Sequence, residues 1–179
     1  MTESGPSGHR SDNRTGSRAG DVTREIADEL GFGVVPNVFK AADGLPEAQL
    51  ALWTAFRHIV LRGKLPRTVK EMMGIIISRE AGSRYAAEVH LHALTLQGTE
   101  APILEALSRG EVPAGVPQKT LELLRFAYSA ARSPYDAGQR QLLGSSLSEA
   151  EQLEAVAVVA LFRMINTWTD LLAIPLDTL

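Results

Sequence analysis

The chain has 179 residues, of which 45% are hydrophobic and 22% charged, with a formal net charge of −3 and no cysteine. This length predicts one domain that buries roughly 70% of the surface exposed by the unfolded chain. The absence of cysteine excludes disulfides, thiolate metal sites and thiol nucleophiles. Weak net charge without a dense basic stripe disfavours nucleic acid as a partner, and no stretch is long and apolar enough to cross a bilayer.

Residues 1–20 are rich in Gly, Ser, Arg and Asn and lack the apolar middle of a secretory signal. A segment of this composition cannot bury enough apolar area to order itself. We therefore expect a disordered tail over residues 1–20 and a single domain over residues 21–179. Without a secretory or membrane-spanning signal, the expected location is the cytoplasm.

From Asp21 onward the apolar residues repeat with helical spacing, and no alternating β-branched run competes, so an all-α fold is expected. Proline at a helix start and glycine just past its end are typical boundaries. The helices predicted in this way run from Pro46 to Gly63, from Pro66 to near Gly82, over about 84–97, from Thr99 to near Gly110, from Pro117 through Arg132, and over 136–144.

The last long helix has its own start signal. Ser148 and Glu151 form the pattern of a capping box, in which each residue satisfies a free N–H group of the other. The middle of this helix, residues 155–162, reads AVAVVALF and is apolar on every side. A helix that is apolar all round is buried among others, so we expect this one in the centre of the bundle or in a subunit interface.

A carboxylate in an apolar setting marks the candidate site. Glu71 lies in the predicted helix VKEMMGIIIS, among Met and Ile. Gly74 and Ser78 share its face, and such small residues would let the next helix approach until Glu71 meets His90. Desolvation would raise the pKa of the carboxyl while an imidazole titrates near neutrality, so the two form a candidate proton-transfer couple.

Ser83, Ala86 and His90 are spaced i, i+3 and i+7 and share one face of the next helix. The run KEMMGIIISREAGSRYAAEVHLHALTLQG closely resembles the core of the AhpD-like alkylhydroperoxidase and carboxymuconolactone decarboxylase superfamily. In its peroxidase branch, a Glu is followed after eleven residues by CxxC and then, after three residues, by a His. Glu71, Ser83, Ala86 and His90 occupy these four positions, and flanking segments extend the resemblance over about residues 25–177.

The resemblance implies an AhpD-like helical bundle that forms a homo-oligomer, with the site near subunit contacts. In the peroxidase branch the two cysteines cycle between dithiol and disulfide. Ser83 and Ala86 cannot do this, so thiol peroxidase activity is excluded by their chemistry. The decarboxylase branch works without the cysteine pair and retains a comparable Glu and His, which favours an acid–base enzyme.

The expected function is therefore a cofactor-independent acid–base enzyme acting on a small organic substrate. Decarboxylation, isomerisation, lactone chemistry and cyclisation, as used in biosynthesis, are all compatible with an acid–base pair of this kind. Glu71 and His90 would exchange the proton. The residues expected to contact the substrate are Ser83, Ser78, Ala86, Tyr85 and His58.

Structural roles compete with three of these assignments. Ser83 also fits an N-cap whose hydroxyl accepts from a backbone N–H group. Glu71 could form an ion pair with Arg67, four residues earlier, on a solvated face. Tyr85 also fits core or interface packing.

Two other functions stay open. The first is a non-catalytic homologue that binds a ligand or a partner chain. The second is a metal-dependent enzyme that uses His58, Glu71 and His90, which are suitable ligand types but lack paired spacing such as HExxH. We expect neither a metal nor another cofactor.

Overall fold

The computed structural model describes residues 14–178, with side chains from Val22 onward. Within this range the chain forms eight α-helices, one π-helical turn and one 3₁₀ turn, and no strand occurs. The elements are α1 (Arg14–Leu30), α2 (Asn37–Lys40), α3 (Pro46–Phe56), the π turn (Arg57–Leu61), α4 (Arg67–Ala81), α5 (Arg84–Leu96), α6 (Ala101–Ser108), α7 (Gln118–Arg132), the 3₁₀ turn (Ala137–Leu142) and α8 (Glu149–Leu171). The all-α prediction is confirmed.

Helix α1 begins earlier than the predicted domain start. Residues 14–20 form its first turns, whereas the predicted tail extended to residue 20. The rest of that prediction, residues 1–13, lies outside the described residues. None of the helices in the described range combines the length and apolarity that crossing a bilayer requires.

The predicted helix over residues 46–63 changes its winding before it ends. Helix α3 gives way at Arg57 to the π turn, where the N–H group of Arg62 reaches back to the carbonyl of Arg57 at 3.1 Å. The Arg57 side chain is held by Glu25 and Glu29 of α1. The widened turn directs His58 outward, and its side chain is exposed.

Helix α4, not α8, is the centre of the bundle. Every residue from Val69 to Ser78 is buried, and α5, α7 and α8 pack around it. Helix α8 begins with the predicted capping box of Ser148 and Glu151 and packs against α4, α5 and α7. One face of α8 nevertheless stays uncovered in the single chain, so its apolar middle is only partly buried.

A buried ion pair ties α4 to α8. Lys70 is 1% exposed, and its ammonium donates to Glu154 Oε1 at 2.7 Å and to the carbonyl of Arg62. Glu154 also accepts the backbone N–H groups of Lys64 and Leu65. The loop before α4 and the first turns of α8 are therefore held by one carboxylate.

Candidate active site

Glu71 and His90 meet inside the protein. Helices α4 and α5 run side by side and are joined at Gly82, which adopts the left-handed conformation with φ of 73°. This tight connection brings Glu71 Oε2 within 2.7 Å of His90 Nδ1. The two residues are 2% and 4% exposed, so the hydrogen bond lies in a nearly water-free environment.

Small and aromatic neighbours position the His90 ring. A Cβ atom at Gly74 would lie 2.7 Å from His90 Nε2, closer than real Cβ contacts allow, so only glycine permits this approach of the ring to α4. On the other side, the Phe162 ring from α8 makes an edge contact with a centroid separation of 4.4 Å. The predicted role of Gly74 in bringing the two helices together is confirmed.

The Glu71 carboxylate has a second partner. Burial raises its pKa, but the hydrogen bond and charge of His90 and the guanidinium of Arg67 outweigh burial, so the pKa of Glu71 is lowered. Arg67 Nε donates to Glu71 Oε1 at 3.2 Å. The expectation that desolvation would raise this pKa is therefore wrong, because two donors serve the charged form. Glu71 also makes the predicted ion pair with Arg67, yet on a buried face.

The pair opens onto a small apolar cavity of about 30 Å³. This volume holds about two water molecules. Only Arg67, Glu71, Tyr85 and His90 contribute titratable groups to its described wall. The apolar lining residues are Leu30, Phe32, Pro36, Val38, Phe39, Phe56, Ala86, Val89, Ala93 and Ile165.

Tyr85 closes the cavity through its hydroxyl group. The hydroxyl accepts the backbone N–H of Val38 at 3.0 Å and donates to Asp177 Oδ2 near the C-terminus. Burial, and then the bond to Asp177, raise the pKa of Tyr85, which stays neutral. Asp177 Oδ1 also accepts the backbone N–H of Asn37 at 2.7 Å. Tyr85, a predicted substrate contact, thus lines the cavity wall, but its hydroxyl is already hydrogen-bonded to Val38 and Asp177.

Two predicted substrate contacts lie away from this cavity. Ser83 precedes α5 as its N-cap, but its hydroxyl donates to Asp170 Oδ1 at 2.9 Å and does not accept a backbone N–H. Ser78 donates to Asn166 Oδ1 at 3.0 Å. Both hydroxyls therefore bind α8 and do not face the Glu71–His90 cavity.

Ala86 lines the cavity, whereas His58 does not. His58 is exposed on the π turn, so it does not join Glu71 and His90. Within residues 22–178, no three side chains of His, Asp or Glu come together as metal ligands would. The ligand set of His58, Glu71 and His90 is therefore not assembled in this fold.

Several residues at the site were not singled out by sequence reasoning. Arg67 was considered only as a surface partner, although its i, i+4 spacing to Glu71 signals the contact. Phe162, Val38 and Asp177 carry no local signal that would mark them as site residues. Asp177 reaches Asn37 across 140 positions, a contact that helix periodicity cannot predict.

Solved structures with the same fold include two forms of one enzyme. The debrominase Bmp8, in its apo form and as a cysteine-to-alanine variant in complex with 2,3,4-tribromopyrrole, is 20% identical over 94% of this chain and 90% of that chain. Both structures have a TM-score of 0.77. At this level of identity the likeness establishes the fold.

Two further structures are described as peroxidase-related proteins. One, an AhpD core from Ralstonia eutropha JMP134, is 17% identical over 98% of this chain and 95% of that chain, with a TM-score of 0.78. The other, from Silicibacter sp. TM1040, is 19% identical over 93% of this chain and 88% of that chain, also with a TM-score of 0.78.

No curated protein matches the chain significantly in sequence. The model of the carboxymuconolactone decarboxylase family matches residues 46–129, which include Glu71, His90 and most of the cavity wall. The chain has no cysteine, and Ser83 and Ala86 occupy the two positions compared above with the cysteines of CxxC. Residues 46–129 thus match the carboxymuconolactone decarboxylase family, and the chain has the fold of AhpD-like peroxidase-related proteins.

Proposed function

We propose that this chain is a cofactor-independent acid–base enzyme that moves a proton on a small, largely apolar organic molecule. Glu71 and His90 are its catalytic pair. The observation that carries the proposal is the 2.7 Å bond between Glu71 Oε2 and His90 Nδ1 beside an otherwise mostly apolar cavity. Desolvating a carboxylate and an imidazole costs free energy that packing alone does not demand, and such groups cluster at functional sites.

The hydrogen bond assigns a role to each ring nitrogen. The ionised Glu71 carboxylate accepts the proton on His90 Nδ1, which leaves a lone pair on Nε2. Among the described residues, no hydrogen-bond partner occupies Nε2. Nε2 lies against α4 at Gly74, so a substrate would approach it along the edge of the ring beside that glycine. There Nε2 would take a proton from a carbon next to a carbonyl group, and Glu71 would stabilise the imidazolium that forms. The same nitrogen returns the proton to the product.

The cavity wall supports a compact and mainly hydrocarbon substrate. Four of its wall residues, Phe32, Pro36, Val38 and Phe39, belong to residues 31–40. Because the cavity of about 30 Å³ is smaller than any such substrate, its wall must rearrange for one to enter. The complex of the related debrominase with a tribrominated pyrrole indicates the size of ligand that this fold accepts.

Several reactions share the required proton transfer. Decarboxylation leaves a carbanion that must be protonated, and isomerisation moves a proton between two carbons. Lactone chemistry and cyclisation next to a carbonyl group also begin with removal of a proton. Each would need only the Glu71–His90 pair and a water-excluding wall, as expected of an enzyme of biosynthesis.

Deuterium exchange tests the proposal without knowledge of the substrate. The protein in D₂O is incubated with a panel of small β-keto acids, lactones and cyclic enones, and loss of C–H signals is followed by NMR. We expect the wild type to accelerate exchange in at least one compound. Glu71→Gln and His90→Gln should each lower the accelerated rate by about 10²–10⁴-fold, the usual contribution of a positioned acid or base.

One variant provides a matched control. Glu88, on the same helix as His90, is a partly exposed partner of Arg79 and does not line the cavity, so Glu88→Gln should keep the wild-type rate. Wild-type exchange rates in both Glu71→Gln and His90→Gln would overturn the assignment. If the wild type binds compounds of the panel but exchanges none, the chain is better explained as a non-catalytic homologue that binds a ligand.

A further inference from the structure

Arg67 occupies a fixed place between α1 and the catalytic pair. It is the first residue of α4, one turn before Glu71, and its Nε donates to Glu71 Oε1 at 3.2 Å. Its Nη2 donates to the carbonyl of Leu30, the last residue of α1, at 3.4 Å. The two Glu71 oxygens are thus divided, with Oε1 bonded to Arg67 and Oε2 to His90.

We propose that Arg67 is a positioning residue of this site. Its guanidinium keeps Glu71 an ionised acceptor turned toward His90, so that the His90 proton stays on Nδ1 and the lone pair stays on Nε2. The consequence for catalysis rests on the proposed acid–base function. The effect of Arg67 on the pair is a property of the folded protein that can be measured without a substrate.

Proton counting explains why the cation matters. When Glu71 and His90 hold two protons between them, the pair has two isomers. In one, an ionised Glu71 faces an imidazolium. In the other, a neutral Glu71 donates its proton to Nδ1, and the ring carries its proton on Nε2. Nε2 carries a hydrogen in both isomers, and its lone pair appears only when the pair has lost one proton and holds the other on Nδ1. A nearby cation favours that loss, so without the cation the pair keeps its second proton, and the hydrogen on Nε2, to higher pH.

Among the residues with described side chains, no other group that faces the pair can supply this charge. Besides Arg67, the remaining titratable residue of the described cavity wall is Tyr85, whose raised pKa keeps its hydroxyl neutral. Helix α8 contributes only Phe162 and Ile165 near the ring and cavity. The next cation on α4, Lys70, is bonded to Glu154 and to the carbonyl of Arg62.

NMR of protein labelled with ¹³C and ¹⁵N tests the proposal directly. The carboxyl shift of Glu71 and the ring nitrogen shifts of His90 are followed against pH in the wild type, Arg67→Met, Arg67→Gln and Arg67→Lys. We expect both neutral variants to move the Glu71 titration to higher pH and to keep a hydrogen on His90 Nε2 to higher pH than in the wild type. Arg67→Lys, which keeps the charge, should restore most of the wild-type pattern.

Arg79 provides a matched control. It lies on the same helix, its side chain is 27% exposed against 29% for Arg67, and it pairs with Glu88 outside the cavity. Arg79→Met should leave the Glu71 and His90 signals unchanged. Wild-type Glu71 and His90 titrations in folded Arg67→Met or Arg67→Gln would overturn the proposal.

The same variants separate this inference from the proposed function. If the acid–base function is wrong, either the wild type exchanges no compound or Glu71→Gln keeps the exchange activity, while the NMR signals still respond to Arg67. If the role of Arg67 is wrong, the signals do not respond while Glu71→Gln still loses activity. If both hold, Arg67→Met lowers the maximal exchange rate at neutral pH and part of the rate returns in Arg67→Lys.

Discussion

The ring of His90 lies where a side chain at position 74 would be. A Cβ atom added to Gly74 would be 2.7 Å from His90 Nε2, 2.8 Å from Cδ2 and 2.9 Å from Cε1. All three of the nearest atoms belong to one ring. The absence of a side chain at residue 74 therefore sets how deeply His90 sits against α4, and with it the 2.7 Å bond to Glu71.

Gly74→Ala should therefore displace the His90 ring and stretch its bond to Glu71. Overpacking of this kind costs about 1–3 kcal/mol, which exceeds or offsets the gain of up to about 1 kcal/mol from replacing glycine in a helix. We expect a lower free energy of unfolding in urea, followed by circular dichroism, together with loss of exchange activity.

A second variant isolates the contact. Because the new methyl group meets only His90 among its nearest neighbours, Gly74→Ala should be far less destabilising in a His90→Ala background. Equal destabilisation in both backgrounds would mean that the methyl group clashes with the backbone, and that the ring is not what excludes it.

The pH dependence of stability follows from Glu71. Its pKa in the folded protein lies below the ordinary value of 4.5. The charged carboxylate therefore contributes its full stabilisation above pH 4.5, and this contribution is lost as the pH falls through the lowered pKa. The difference in unfolding free energy between the wild type and Glu71→Gln should be largest near pH 6 and shrink toward pH 3. A difference that grows on acidification would contradict the sign.

The C-terminal segment holds α2 over the cavity. Asp177 accepts from Asn37 and Tyr85, while Trp168 Nε1 donates to the carbonyl of Val38 at 3.2 Å. Asp177→Asn replaces one acceptor oxygen by a donor. A hydrogen bond to a charged group contributes about 1.5–3 kcal/mol, so its loss should make amide hydrogen exchange at least about tenfold faster. The effect should be confined to the amides of Asn37 and Val38.

Two comparisons check this prediction. Tyr85→Phe removes the acceptor of the Val38 amide and should speed its exchange, whereas the amide of Leu124, buried in α7, should be unaffected by either variant. Uniform acceleration, including Leu124, would indicate global destabilisation and not opening of α2.

The uncovered face of α8 predicts self-association. Leu153, Val156 and Met164 share this face and are 54%, 41% and 48% exposed in the single chain. Native mass spectrometry should show more than one subunit, and Val156→Lys should shift the distribution to single chains, since a charge is poorly tolerated in the centre of an interface. Leu96, 58% exposed at the end of α5, provides the control variant Leu96→Lys. A wild type that remains a single chain at micromolar concentration would refute the prediction.

Much of the helical framework could be predicted because its signals are local. Pro66 and Gly82 bound α4, and Ser148 with Glu151 caps α8, where the structure places these features. The meeting of Glu71 and His90 was also predictable. The two helices are consecutive and tightly joined. Glu71 and Gly74 lie on one face of α4, so packing of α5 against that face brings His90 to Glu71.

The contacts that sequence reasoning missed depend on distant parts of the chain. Ser83 was expected to contact the substrate, with capping of α5 as the alternative, but its hydroxyl donates to Asp170, 87 positions away. His58 was expected to approach the site, but the π turn directs it to solvent. The direction of the Glu71 pKa shift depends on two donors whose positions become known only when α4 and α5 are packed together.

Two buried charges follow one another on the central helix. Lys70 is bonded to Glu154 of α8, and Glu71 is bonded to His90 of α5. Consecutive residues point about 100° apart around a helix, so each charge finds its partner on a different neighbour. Turning α4 by one residue would leave both unpaired, and breaking a buried pair costs about 3–5 kcal/mol. These charges give α4 a single register, which holds Glu71 against His90 without a covalent link.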